Sequence, residues 1–189
     1  INKLLEREDQ PEFKIDVPKR ISNIHPLLSQ AKIELLRDKY NYDGLADSGH
    51  DALRVKVSKA NVDRTIKILA ILISAFKKRG FKFGSYQSTG NEEGFPSVVI
   101  NETTIYFKIQ ERLKRKVVHR LDEIENPALR KQMGYSFKPG NSFLVPTSQL
   151  FIQIESYSDF QCRKLWSDRK NAPLETQIPE IVKGLIIAS

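Results

Sequence analysis

The sequence predicts an α+β fold: an antiparallel or mixed sheet of about five strands with helices packed on one face. Three observations lead there. Residues 105–118, 53–57 and 150–154 alternate between apolar and polar side chains, as half-buried strands do. Residues 62–76 instead repeat apolar side chains at helical spacing. The segments follow one another as α, β, α, β, β, β, β, α, and two-faced strands belong to a sheet covered on one side only. That excludes a doubly wound nucleotide-binding fold.

Residues 1–18 are charged and interrupted by Pro11 and Pro18, and read as an arm or linker with one short helical turn at its start. Residues 19–189 then make a single α+β domain. Asn23 stands at an N-cap position with Pro26 in the first turn, and Leu27, Leu28, Ala31, Leu35 and Leu36 form a helical stripe ending near Tyr40. The turn formers of NYDGLADSGHD make a loop over 41–51. LRVKVS is a strand with Leu53, Val55 and Val57 inward, and Ser58 is placed to cap the next helix. In that helix Val62, Ile66, Leu69, Ile73 and Phe76 are core-facing, while Lys77, Lys78 and Arg79 suit its negative end and Gly80 stops it. FKFGSYQ follows as a short strand, then a loop, then a hairpin of SVVIN and TTIYFKIQERLKRKVV turning near Asn101 and Glu102. Residues 119–147 are mixed, with a short helix at NPALRKQ. QLFIQIES alternates again, with Leu150, Ile152 and Ile154 inward. After a basic loop, Leu174, Ile178, Ile181 and Leu185 return to helical spacing. Pro179 forces that helix either to kink or to begin its regular part near Ile178.

Composition narrows the function classes. With 40% hydrophobic residues among 189, the chain can bury a core and is not a disordered polyelectrolyte. Cys162 is the only cysteine, so there is no intrachain disulfide and no multi-cysteine metal site, as suits a reducing cytoplasm. No apolar run is long enough to span a bilayer, and the charged start is no signal peptide. The chain opens on Ile1 and its one methionine is Met133, which we read as the mark of a piece of a longer protein. The formal charge of +8 and pI near 9.5 favour an anionic partner.

The charge also has a pattern. In IYFKIQERLKRKVV the even positions carry Lys108, Arg112, Lys114 and Lys116, and the odd positions carry Ile105, Phe107, Ile109 and Leu113. Adding Arg54, Lys56 and Lys82 from the other strands gives seven candidate nucleic-acid contacts on one open face, with Glu155 the acid among the same positions. Tyr106 and Phe151 would be its stacking or wedging groups. Such a platform would neutralise several phosphates and bind with steep salt dependence. The plainer alternative is that these cations only solvate an open sheet and protect its edges.

Other residues offer weaker chemistry. Glu111 falls on the inward parity. It is either a catalytic carboxylate of raised pKa or, as we favour, a group at the fraying end of the strand paired to a neighbouring cation. Trp166 would stack on a base with Arg163, Lys164, Arg169 and Lys170 on phosphate, or else anchor the final helix while Asp168 holds the loop by backbone hydrogen bonds; the second is favoured. His25, His50 and His119 lack ligand spacing, Ser156 and Ser158 lack a partner base, and the glycines form no phosphate loop. No catalytic residue, metal or cofactor is expected.

Several segments, in order, resemble the C-terminal half of poorly characterised bacterial proteins whose N-terminal part is similar to a helix-turn-helix DNA-binding domain. They are PKRISNIHPLLSQAKIEL, LRVKVSKANVDRTIKILAILISAFKKRG, FKIQERLKRK and LWSDRKNAPLETQIPEIVKGLI. The resemblance implies an upstream DNA-reading module and carries over no site residue. The expectation is therefore a non-enzymatic, cytoplasmic, DNA-associated accessory domain. A dimerisation or protein-interaction domain is the alternative, and a nuclease comes last.

Overall fold

The alternating run that includes Ile105 forms one strand of 16 residues, β5 (Thr103–Val118), and the rest of the sheet is built on it. A computed structural model of the chain describes residues 1–18, 24–37, 43–49, 53–85, 94–155 and 163–189. Around β5 lie β1 (Ala46–Asp47), β2 (Lys56–Val57), β3 (Lys82–Ser85), β4 (Pro96–Ile100), β6 (Asn141–Ile154) and β7 (Leu165–Ser167). The helices are α1 (Asn2–Glu8), α2 (Pro26–Arg37), α3 (Val62–Lys78), α4 (Pro127–Met133) and α5 (Ile178–Ile187).

The fold is α+β with a mixed sheet of seven strands, two more than expected. The additions are β1, inside the turn-rich loop, and β7, inside the basic loop. At two and three residues they are too short to show a period. β4 pairs antiparallel with β5 over Thr103–Tyr106, β2 pairs parallel at Gln110, and β6 pairs antiparallel along most of the strand. Gln110 is partnered by Lys56 and Phe151 at once, so β2 and β6 flank it on opposite sides. The β4–β5 turn falls on Asn101 and Glu102, as expected. Both have positive φ (47° and 67°), the geometry whose twist matches a two-residue hairpin.

Ile105, Phe107 and Ile109 of β5, with Val98, Ile100, Leu150, Ile152 and Ile154, turn one face of the sheet into the core. Leu69, Leu72 and Phe76 of α3 meet it, and Phe76 packs edge-on against Phe107 at 6.3 Å between ring centroids. Each fully buried side chain of this size adds about 1.5–3 kcal/mol over leaving it in water. α5 begins at Ile178 with Pro179 in its first turn, where the missing N–H is harmless, so the helix runs unkinked. Its Gly184 lies so close to the Trp166 ring that a Cβ there would be inside contact distance. Trp166 is 1% exposed and is the anchor under the last helix.

Residues 1–18 hold the expected short helix, but they are docked. Leu4, Leu5 and Ile15 pack on the core, and Glu8 accepts two hydrogen bonds at 2.6 Å from Arg79. Both partners of that pair are almost fully buried, and Arg79 also donates to the Phe13 carbonyl at 2.8 Å. Separating two such charges without replacement costs about 3–5 kcal/mol, which fixes the segment to the domain.

Candidate nucleic-acid interface

Glu111 organises the region that carries the basic run. It is 3% exposed, and its carboxylate accepts the Ser58 N–H at 2.8 Å and the Ser148 N–H at 2.7 Å. Sequence reasoning put it at a fraying strand end beside a cation. Instead β5 continues for seven more residues, and two backbone N–H groups are the partners. Its job is to tie β6 to the start of the α3 segment. The register slips just beyond it: Glu111 faces Leu150 while Leu113 faces Pro146, so three residues of β6 stand opposite Arg112. Ser148, in this bulge, takes a φ of 62°.

Past the bulge, β5 and β6 pair only with each other among the described residues, from Leu113–Pro146 to Val118–Asn141. They form a two-stranded ribbon closed by a tip, residues 119–140, that holds α4. A second small core of Val118, Ile124 and Leu129, bordered by Leu121, Met133, Phe137 and Phe143, is separate from the main one. Val118 and Lys116 share a face of the ribbon, so the tip folds back over the even side of β5.

The seven sequence-predicted cations are therefore not equivalent. Arg54 lies 3.4 Å from Asp47, Lys56 3.2 Å from Asp43 and Lys108 2.5 Å from Glu155. Lys116 reaches Glu125 at 2.9 Å at the exposed margin of the tip and also donates to the Glu123 carbonyl. The Lys116–Glu125 hydrogen bond and the charge of Lys116 hold the Glu125 carboxyl below its ordinary range. Lys82, Arg112 and Lys114 are exposed and make no ion pair among the described residues. Arg112 lies over the Phe151 ring at 5.7 Å, which fixes its stem and leaves the guanidinium edge available. Of the two aromatics expected on this face, Phe151 thus backs a cation, and Tyr106 is half-buried.

Sequence parity missed Arg115. It is exposed on the opposite face of the ribbon, paired in register with Leu144. Only the density of the RLKRK run pointed to it. Residues 112–147 hold eight Lys and Arg against three Asp and Glu, so this segment carries +5 of the chain's formal +8. The positive charge collects on the ribbon and its tip, whereas the sheet beside it is largely compensated.

The other clusters are structural. Asp168 accepts Leu150 N–H and Leu174 N–H, each at 2.8 Å, as the loop-holding reading expected. It also joins Glu175 around Arg64, with four hydrogen bonds of 2.7–2.8 Å. His25 accepts the Leu27 N–H at Nδ1 and meets Phe83 edge-on. His50, Cys162, Ser156 and Ser158 lie outside the described residues. Among the described residues no three His, Cys, Asp or Glu groups are arranged to hold a metal, and no helix is long and apolar enough to cross a membrane.

Compared with known proteins, the chain matches no protein-family model, no curated protein and no solved structure.

Proposed function

We propose that this chain is a non-enzymatic, DNA-associated accessory domain that grips nucleic-acid phosphates with the basic β5–β6 ribbon. Arg112 and Lys114 are its principal contacts, Arg115 contributes from the other face, and Lys82 lies further out on the sheet. The observation that carries the reading is the concentration of uncompensated charge. In 36 residues the ribbon and tip gather +5, and Arg112, Lys114 and Arg115 have no ion pair among the described residues. Arg54, Lys56, Lys108 and Lys116, already paired to acids, would contribute less, because each must give up a carboxylate before meeting a phosphate. The resemblance to bacterial proteins bearing a helix-turn-helix module fits a helper that adds affinity while another module reads sequence.

The test is a titration of a labelled 20-base-pair duplex at several salt concentrations, with wild type and R112E/K114E. The double variant should bind every sequence more weakly. Its slope of log affinity against log salt should fall by about 2, since each phosphate contact on duplex DNA contributes about 0.9. An unchanged affinity and slope would refute the proposal. A concentration-independent dimer that ignores DNA would point to the protein-interaction role instead.

A further inference from the structure

The ribbon has a second face, packed only at its base, where Gly44 lies against the Pro146 ring, and exposed further out. Leu113, Arg115 and Val117 of β5 stand on it with Ser142, Leu144 and Pro146 of β6. Val117 is 53% exposed and Leu144 50%, because the tip and its core lie against the other face. A bare apolar strip around an arginine, on the most basic part of the chain, calls for a polyanion that also offers apolar contacts.

Resting on the phosphate-binding reading, we infer that this ribbon face enters the major groove of B-form duplex DNA. The fit is geometric first. Two strands about 5 Å apart, with their side chains, match a groove about 12 Å wide. Six residues at about 3.3 Å each make a ribbon of about 20 Å, or roughly six base pairs at ~3.4 Å. The chemistry agrees. Arg115 stands on the entering face, the tip sits on the opposite face and does not obstruct entry, and the long side chains of Arg112 and Lys114 on that opposite face would reach the flanking phosphates round the strand edges. Arg115 has the fork to take guanine O6 and N7, and Val117 and Leu144 offer surface to thymine methyl groups.

The same features exclude other nucleic acids. Single strands are held by stacking on aromatic rings, and this face has none; Phe143 turns to the opposite side, into the tip core. The major groove of duplex RNA is too deep and narrow to admit the ribbon.

The experiment compares one sequence as DNA duplex, RNA duplex and DNA single strand, against wild type and V117S/L144S, with circular dichroism to verify folding. Wild type should prefer the DNA duplex by at least about tenfold. V117S/L144S should weaken duplex DNA binding about fivefold without changing the salt slope, since it removes no phosphate contact. Equal affinity in the three arms, or a silent double variant, would overturn groove entry while leaving phosphate binding standing. Absence of binding in every arm would overturn both.

Discussion

Replacing Asp168 by Asn tests how β7, the loop after it and α3 are locked together. The Asp168 carboxylate is 11% exposed and takes a pair of donors on each oxygen. Oδ1 accepts Arg64 and the Leu174 N–H, and Oδ2 accepts Arg64 and the Leu150 N–H, all at 2.7–2.8 Å. Asn keeps the shape but has one acceptor oxygen. Whichever way its amide turns, an NH₂ faces two N–H donors, and two hydrogen bonds of about 1.5–3 kcal/mol each are lost. Arg64 keeps Glu175 and is 28% exposed, so water recovers part of the loss, and we expect a net cost of about 3 kcal/mol. At about 2–4 °C per kcal/mol for a chain of this size, Tm should drop by about 6–12 °C.

The lock also has a pH signature. Burial pushes the Asp168 carboxyl up, but the hydrogen bonds from Arg64, Leu150 and Leu174 together outweigh it, leaving the group below its ordinary 3.8. Glu175 is held below its ordinary 4.5, chiefly by the Arg64 hydrogen bond. A carboxylate lowered by folding stabilises the native state fully above its unfolded pKa. The contribution is lost as pH falls through the folded value. Urea denaturation should therefore show the wild-type advantage over D168N full near neutrality and shrinking below about pH 4. A variant within about 0.5 kcal/mol of wild type at neutral pH, or a gap that acid leaves untouched, would refute the lock.

Two further substitutions probe packing and turn geometry. Gly184→Ala gains about 1 kcal/mol of helix propensity but drives a methyl into the buried Trp166 ring, where overpacking costs about 1–3 kcal/mol. The net should be a loss of stability with a shift in tryptophan emission, and a gain would mean that α5 stands off the ring. Glu102→Gly relieves a residue held at φ 67° in the β4–β5 turn, and should raise the urea midpoint by about 0.5 kcal/mol equivalent at constant m-value. A lowered midpoint would refute a strained two-residue turn there.

Where local chemistry decides structure, the sequence was legible. The apolar stripe of α3, the turn at Asn101–Glu102 and the onset of α5 at Pro179 follow from spacing and backbone preference within a few residues. Trp166 as an anchor and Asp168 as a loop clamp were readable from residue type. The docking of residues 1–18 was not, because it depends on Arg79 meeting Glu8 across 71 positions of chain. Nor was the fate of the cations. Parity put Lys108, Arg112, Lys114 and Lys116 on one side of β5, but not Asp43 beside Lys56, nor Glu125 of the tip beside Lys116.

By itself, then, the sequence determined the α+β class, the amphipathic elements and the cation-rich run, because side-chain alternation and helical periodicity are properties of consecutive residues. Only the tertiary structure decided where positive charge stays uncompensated. Neutralisation depends on which acids the loops and the tip bring within a few ångströms. It also decided that β5 and β6 outrun their neighbours to form a ribbon with a bare apolar face, since strand pairing joins residues far apart in the chain.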